Sequence, residues 1–150
     1  MKIEDEIKQK LFRNEYHKAH INVLFTASWF SQQSNQILKP FNISWQQFNI
    51  LRILRGMHPD PASVKLLTDR MIDKMSNASR LVEKLKQKGL VDRHSCDQDR
   101  RRVDVSITTK GLEVLEEVSL LMEQQLDGNM QDLSFEEAEE LNRILDKIRG

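Results

Sequence analysis

The chain has little with which to build a covalent, metallic or membrane-bound scaffold. Its one cysteine in 150 residues, Cys96, excludes an internal disulfide and makes a reducing, cytoplasmic setting the default. Five glycines and three prolines form no Gly-rich phosphate loop and no low-complexity tract. No apolar run approaches the roughly 20 residues that a membrane helix needs. The opening residues Met1-Lys2-Ile3-Glu4-Asp5-Glu6 are too acidic for a signal peptide. No Cys/His or Ser/His/Asp set stands at a spacing tied to a recognisable turn, so no catalytic residues, no cofactor and no enzyme activity are expected. His17 and His20, at i and i+3, share a helical face. Without a Cys, Asp or Glu set beside them they read as surface residues, and no metal is expected.

Net charge is also lacking, since the formal total is zero. The charges are nevertheless sorted along the chain. From Lys74 to Arg102 nine basic residues stand against four acidic ones, a net of +5. From Leu112 to Gly150 three stand against eleven, a net of −8. For a polyanionic partner, distribution matters more than the total. The middle of the chain suits nucleic acid, and the acidic end should face away from it.

What the middle does contain is ordered. Val64 to Met71 is a short helical pattern, and Asp73 to Lys88 is a second one, with Asp73 as a candidate N-cap and Gly89 suited to the left-handed position after the helix. Ala78, Leu81, Val82 and Leu85 fall at i, i+3, i+4 and i+7, one apolar stripe facing a core. Ser76, Asn77, Arg80 and Lys84 share the opposite face, with Lys74 just before them. Amide and hydroxyl side chains near a helix start suit base edges, Arg suits guanine and Lys suits phosphate. Two strand-like runs follow, Leu90–His94 and Arg102–Ile107, joined by the charged tip Ser95–Arg101. In the second run Val103, Val105 and Ile107 alternate with Arg102, Asp104 and Ser106, the pattern of a half-buried strand. Asp97 and Asp99 precede Arg100, Arg101 and Arg102 at a tip with no apolar residue to pack. Arginine suits a narrow, electronegative minor groove, and a neighbouring carboxylate can hold a guanidinium in one orientation. Helix, helix and hairpin in this order make a winged helix-turn-helix.

The run from Asp99 to Gly111, Asp-Arg-Arg-Arg-Val-Asp-Val-Ser-Ile-Thr-Thr-Lys-Gly, resembles the wing signature of the multiple-antibiotic-resistance regulator (MarR) family. That signature is Asp, any residue, Arg, then a strand ending in Leu-Thr and soon Lys-Gly. Ser79 to Leu85, followed by Lys88-Gly89-Leu90-Val91, is similar to the family's recognition helix and its exit. Ile107 stands where Leu is usual, and Asp73-Lys74-Met75 stands where the family opens this helix with Ser/Thr-Pro. The resemblance spans nearly the whole chain. It implies a homodimeric transcriptional regulator that binds double-stranded DNA at an inverted-repeat operator. Arg101, oriented by Asp99, would enter the minor groove.

The flanking segments carry apolar faces longer than one small core can cover. Lys2 to Leu38 reads as one long helix or two nearly continuous ones, with nothing to interrupt it before Pro40. Ser44 and Gln47 form a capping box for a helix whose buried side is Trp45, Phe48, Ile50, Leu51 and Leu54; His58-Pro59-Asp60-Pro61 ends it. Thr108 or Thr109 caps a helix to about Leu126, which Asp127-Gly128-Asn129 should break or loosen. Ser134 and Glu137 cap the last helix, with Phe135, Ala138, Leu141, Ile144, Leu145 and Ile148 in need of a partner surface. Trp29, Trp45 and Phe48 suit core packing first; the resemblance offers a pocket for a small aromatic or phenolic effector as the second reading.

The expected architecture is mainly α with a small β-hairpin wing, a single domain over 1–150. Residues 44–111 form the winged-helix DNA-binding lobe, and 1–39 and 112–150 form N- and C-terminal dimerisation helices. Two alternatives to a DNA-binding regulator are a winged helix used for protein–protein contact and a thiol sensor built on Cys96. The second lacks a resolving thiol.

Overall fold

Side-chain caps set most helix starts in this chain. A computed structural model describes residues 1–150 and is mainly helical, with one small antiparallel sheet. The elements run α1 (Ile3–Glu6), α2 (Glu15–Leu38), a single 3-10 turn (Lys39–Phe41), α3 (Trp45–Met57), β1 (Ala62–Ser63), α4 (Val64–Arg70), α5 (Ala78–Gln87), β2 (Val91–Ser95), β3 (Val103–Ile107), α6 (Thr109–Met130) and α7 (Phe135–Arg149). Both expected capping boxes form. Ser44 Oγ accepts from the Gln47 amide while Gln47 Oε1 accepts from the Ser44 amide, each at 3.1 Å. Ser134 and Glu137 repeat the exchange at the head of α7. Ser63 caps α4, and Thr108 caps α6.

Three boundaries differ from the sequence reading, each for a local reason. The first 38 residues are interrupted: α1 ends after one turn, Lys8 adopts a positive φ of 54°, and Asn14 starts α2 by accepting from the His17 amide at 2.9 Å. A Lys18–Glu4 ion pair folds the short α1 back along α2 and buries Ile3. The recognition helix α5 begins at Ala78 rather than near Asp73, with Asn77 as its N-cap. Finally, α6 runs through Asp127-Gly128-Asn129 to Met130. A helical glycine costs about 1 kcal/mol relative to alanine. Here Asn129 Nδ2 donates to Gln33 Oε1 of α2 at 2.8 Å and ties the helix down beyond that glycine.

The hairpin forms as expected and gains a third strand. β1 pairs with β3, Ala62 opposite Val105, and β3 pairs with β2 from Val91–Ile107 to Ser95–Val103, giving the order β1-β3-β2. One core lies between α3, α5, the sheet and the first half of α6. Leu51, Leu54, Val82, Leu85, Val91, Val105 and Leu115 are fully buried within it. Each such side chain contributes roughly 1.5–3 kcal/mol by leaving water. The Lys-Gly at the head of α6 is required by close approach. A Cβ on Gly111 would stand 2.2 Å from the Leu90 carbonyl oxygen and 2.8 Å from Ile107 Cγ1. Only glycine lets α6 start directly against the exit of α5.

Candidate nucleic-acid interface

The recognition helix is positioned from both ends by α3 and α6. At its start the turn Met71–Asn77 is held by α3 side chains: buried Asn49 accepts from the Ile72 amide at 2.9 Å, and Gln46 donates to Asp73 Oδ2 at 3.3 Å. Asp73 Oδ1 accepts from the Met75 amide at 3.0 Å. The Met75 amide first, and the Gln46 amide second, hold the Asp73 carboxyl below the ordinary carboxylate range. That carboxylate is therefore occupied in the turn, and Asn77 does the capping, accepting from the Arg80 amide at 3.1 Å. At the other end Lys88 Nζ donates to Gln47 Oε1 at 3.0 Å and to the Asn42 carbonyl. Burial, and then the neighbouring Lys84, push the Lys88 ammonium below its usual value. Thr108 Oγ1 donates to the Gly89 carbonyl at 2.7 Å, and Lys110 Nζ to that of Lys88 at 3.1 Å.

This frame leaves Asn77, Ser79, Arg80 and Lys84 exposed on α5 and its cap. Neither Arg80 nor Lys84 has a side-chain partner in the protein, and the Asn77 Nδ2 group is likewise uncommitted. Two residues expected on that face are used otherwise. The Ser76 hydroxyl is buried in the turn beside the Asp73 carboxylate, and the Lys74 ammonium is tied to the carbonyl of Asp69 at the end of α4.

The wing closes through the Cys96 amide, which donates to the Arg102 carbonyl at 3.0 Å. Asp99 shapes the tip, but through the backbone. Its Oδ1 accepts from the Arg101 amide and its carbonyl from the Arg102 amide, both at 3.0 Å, so the carboxylate does not hold the Arg101 guanidinium. Arg100 and Arg101 stand exposed. The guanidinium held by a carboxylate is that of Arg102, whose Nε donates to Asp104 Oδ1 at 2.9 Å. Asp104 is only 8% exposed, so the expected strict alternation of β3 fails at this one position. On β2, Arg93 pairs with Glu83 of α5 at 3.1 Å and links the wing to the recognition helix.

Between wing and helices lies an open cleft of about 520 Å³, lined by Ser63, Lys65, Ser79, Arg93, Arg101 and Arg102 among others. Four cationic side chains thus converge on one slot. Sequence reasoning missed Lys65, Ser79 and Arg93. Arg93 is exposed although it shares the parity of buried Val91, so a period of two gave no signal for it. Lys65 needed the third dimension, because nothing in sequence ties the start of α4 to the wing.

The three aromatic effector candidates do not meet. Trp29 stacks edge-on against Phe30 at 5.1 Å and lines a small cavity with Ile3 and Phe25. Trp45 lines a separate cleft with Ser31, Asn35, Gln46, Ile72 and Asp73. Phe48 is in the core, with the Arg52 guanidinium 5.9 Å from its ring centre. His17 Nδ1 accepts from the Arg13 amide at 3.2 Å, and no three His, Cys, Asp or Glu side chains converge as metal ligands would. No helix is long and apolar enough to cross a membrane.

Comparison with known proteins bears on this geometry. Residues 41–102 match a model described as MarR family. The HTH-type transcriptional regulator MgrA of Staphylococcus aureus is 29% identical over 115 residues, covering 77% of this chain and 76% of that protein. Among solved structures, a MarR transcription factor from Planctomyces limnophilus is 28% identical with a TM-score of 0.69, over 91% of this chain and 98% of that one. The MepR–DNA complex of S. aureus superposes with a TM-score of 0.76 at 23% identity, over 92% and 97% of the two chains.

Proposed function

We propose that the chain, whose residues 41–102 match a MarR family model, is a transcriptional regulator of that family and reads an inverted-repeat operator as a homodimer. The observation that carries this reading is the basic cleft flanked by two exposed reading elements. Asn77, Ser79, Arg80 and Lys84 on α5 and its cap would enter a major groove, and Arg100 and Arg101 at the wing tip the adjacent minor groove. The phosphate strand that separates the two grooves would then run through the slot lined by Lys65, Arg93 and Arg102. Asp99 supports the wing by shaping its tip, and Lys74 and Ser76 support the turn. Residues 44–111 act as the DNA-binding lobe and the segments 1–39 and 112–150 as dimerisation helices, since the latter expose Leu120, Leu121, Leu126, Phe135, Leu141 and Ile148. That MepR, with the same fold, has been captured with DNA supports the docking mode.

Effector control has its own supporting observation. The Trp45 cleft is lined by Gln46 and Asp73, the pair that holds the turn ahead of α5. A small aromatic or phenolic molecule stacked on Trp45 would act on that tie and shift the recognition helix. Trp29 and Phe48 lie apart from this cleft and take no part in it within one chain.

The test is the slope of binding affinity against salt on a random-sequence duplex. Phosphate neutralisation gives a steep linear fall of log affinity with log salt, with a slope close to the number of phosphates contacted. A flat response would instead favour a winged helix that docks on protein.

A further inference from the structure

We infer that Asp104 is a positioning residue for DNA binding: its buried carboxylate fixes the Arg102 guanidinium in the cleft between wing and recognition helix, as a preset phosphate clamp. This rests on the DNA-binding reading above. Asp104 sits on β3, the central strand, opposite Ser63 of β1 and His94 of β2. Pairing on both sides fixes its backbone. A carboxylate buried there needs a compensating cation, and Arg102 supplies it at 2.9 Å through Nε alone. The two terminal nitrogens of Arg102 have no protein partner, and the side chain lines the slot beside Arg93 and Lys65. The wing arginines therefore divide into two kinds. Arg102 is anchored at its root, with its donors free. Arg100 and Arg101 have no side-chain partner in the protein. An anchored arginine loses less rotamer freedom on binding, which is the usual source of affinity from preorganisation.

Charge alone predicts the opposite of this inference, and the opposition makes it testable. A carboxylate close to phosphates repels them, so Asp104→Asn should tighten binding if Asp104 merely adds negative charge. If it positions Arg102, Asp104→Asn should weaken binding about fivefold, the order expected when one long side chain must be ordered afresh. The experiment is a double-mutant cycle of Asp104→Asn and Arg102→Ala. Affinity is read by fluorescence anisotropy on a labelled random-sequence duplex of about 30 base pairs, long enough for two half-sites one turn apart. Thermal melting of each variant shows that it is folded. The expected result is weaker binding for each single variant. In the Arg102→Ala background the effect of Asp104→Asn should vanish or turn into tightening, since only the repulsion is then removed. Asp104→Asn that binds as well as or better than the parent would overturn the inference, as would equal weakening in both backgrounds, the mark of a purely structural carboxylate. Should Asp104→Asn not fold, Asp104→Glu replaces it in the same cycle, and a loss independent of Arg102 again overturns the inference. Failure of the parent chain to bind the duplex at all would overturn the DNA-binding reading and this inference together; parent binding with an additive cycle overturns this inference only.

Discussion

Between Ile43 and Leu115 the chain buries or half-buries nearly all of its large apolar side chains. The two left exposed, Ile72 and Met75, both sit in the turn before the recognition helix. The terminal helices do the reverse. α7 has no buried residue, Phe135 is 88% exposed, and Leu141, Ile144 and Ile148 stand open, as do Leu120, Leu121 and Leu126 of α6. Val23, Leu24 and Trp29 of α2 are also uncovered. The charges follow the same division, with the basic residues in the central lobe and the acidic ones after it. The central lobe is thus a finished core that displays cations, whereas the terminal helices hold apolar faces that one chain cannot cover. In the proposed dimer a second copy covers them, and its own acidic surface keeps the joined helices away from DNA.

The sharpest way to break this contrast is to charge the open faces. Leu141→Glu with Ile144→Glu should leave the central lobe folded but yield monomers in sedimentation. Affinity for a two-half-site operator should then fall by about 10²–10⁴-fold, the usual gain from linking two sites. A variant that still sediments as a dimer would remove these residues from the interface. The converse change lies in the finished core. Leu51→Ala should cost roughly 2–5 kcal/mol of stability in chemical denaturation, and the cost should not depend on protein concentration. A strong dependence on concentration would mean that the lobe is not complete on its own.

A smaller change separates the two proposed kinds of DNA contact within the central lobe. Arg80→Ala should cost about 1–3 kcal/mol at the preferred site and little on random duplex. Arg93→Ala, at the cleft, should weaken both alike. Equal losses from Arg80→Ala on both duplexes would make Arg80 a phosphate anchor. The smallest effect expected concerns Asp73. Its carboxyl is held below the ordinary range, so the fold favours the ionised form. Its contribution to stability is complete above the ordinary carboxylate pKa and is lost as pH falls through the lowered one. Relative to Asp73→Asn, the parent should be more stable at neutral pH, and the gap should close on acidification. A gap that persists unchanged in acid would show that the Asp73 charge contributes nothing.

The elements with short-range causes were legible in the sequence. Ser44 with Gln47, Ser134 with Glu137, and the apolar stripe of Ala78, Leu81, Val82 and Leu85 all depend on residues within one or two turns of each other. The misread positions were decided by contacts far along the chain. Asp73 and Asn77 are both able to cap, and Gln46, 27 residues before Asp73, decides between them by engaging it. Gly128 and Asn129 carry a break signal that Gln33, 96 residues before Asn129, overrides. Asp104 looked outward by alternation, yet it is buried where β3 pairs with β1, and a two-residue strand is too short to announce itself. Helical spacing was enough to put Asn77, Arg80 and Lys84 on one face, and all three are exposed. It could not supply Lys65 and Arg93, which join the cleft only when α4 and the wing are brought together.

The most direct test is selection of bound sequences from a random duplex pool by the full chain. Two reading heads related by a two-fold axis should enrich an imperfect inverted repeat whose half-sites lie about 10 base pairs apart, or a multiple of that spacing. Enriched sites without inverted symmetry, or no enrichment over the starting pool, would contradict the dimeric DNA reader described here.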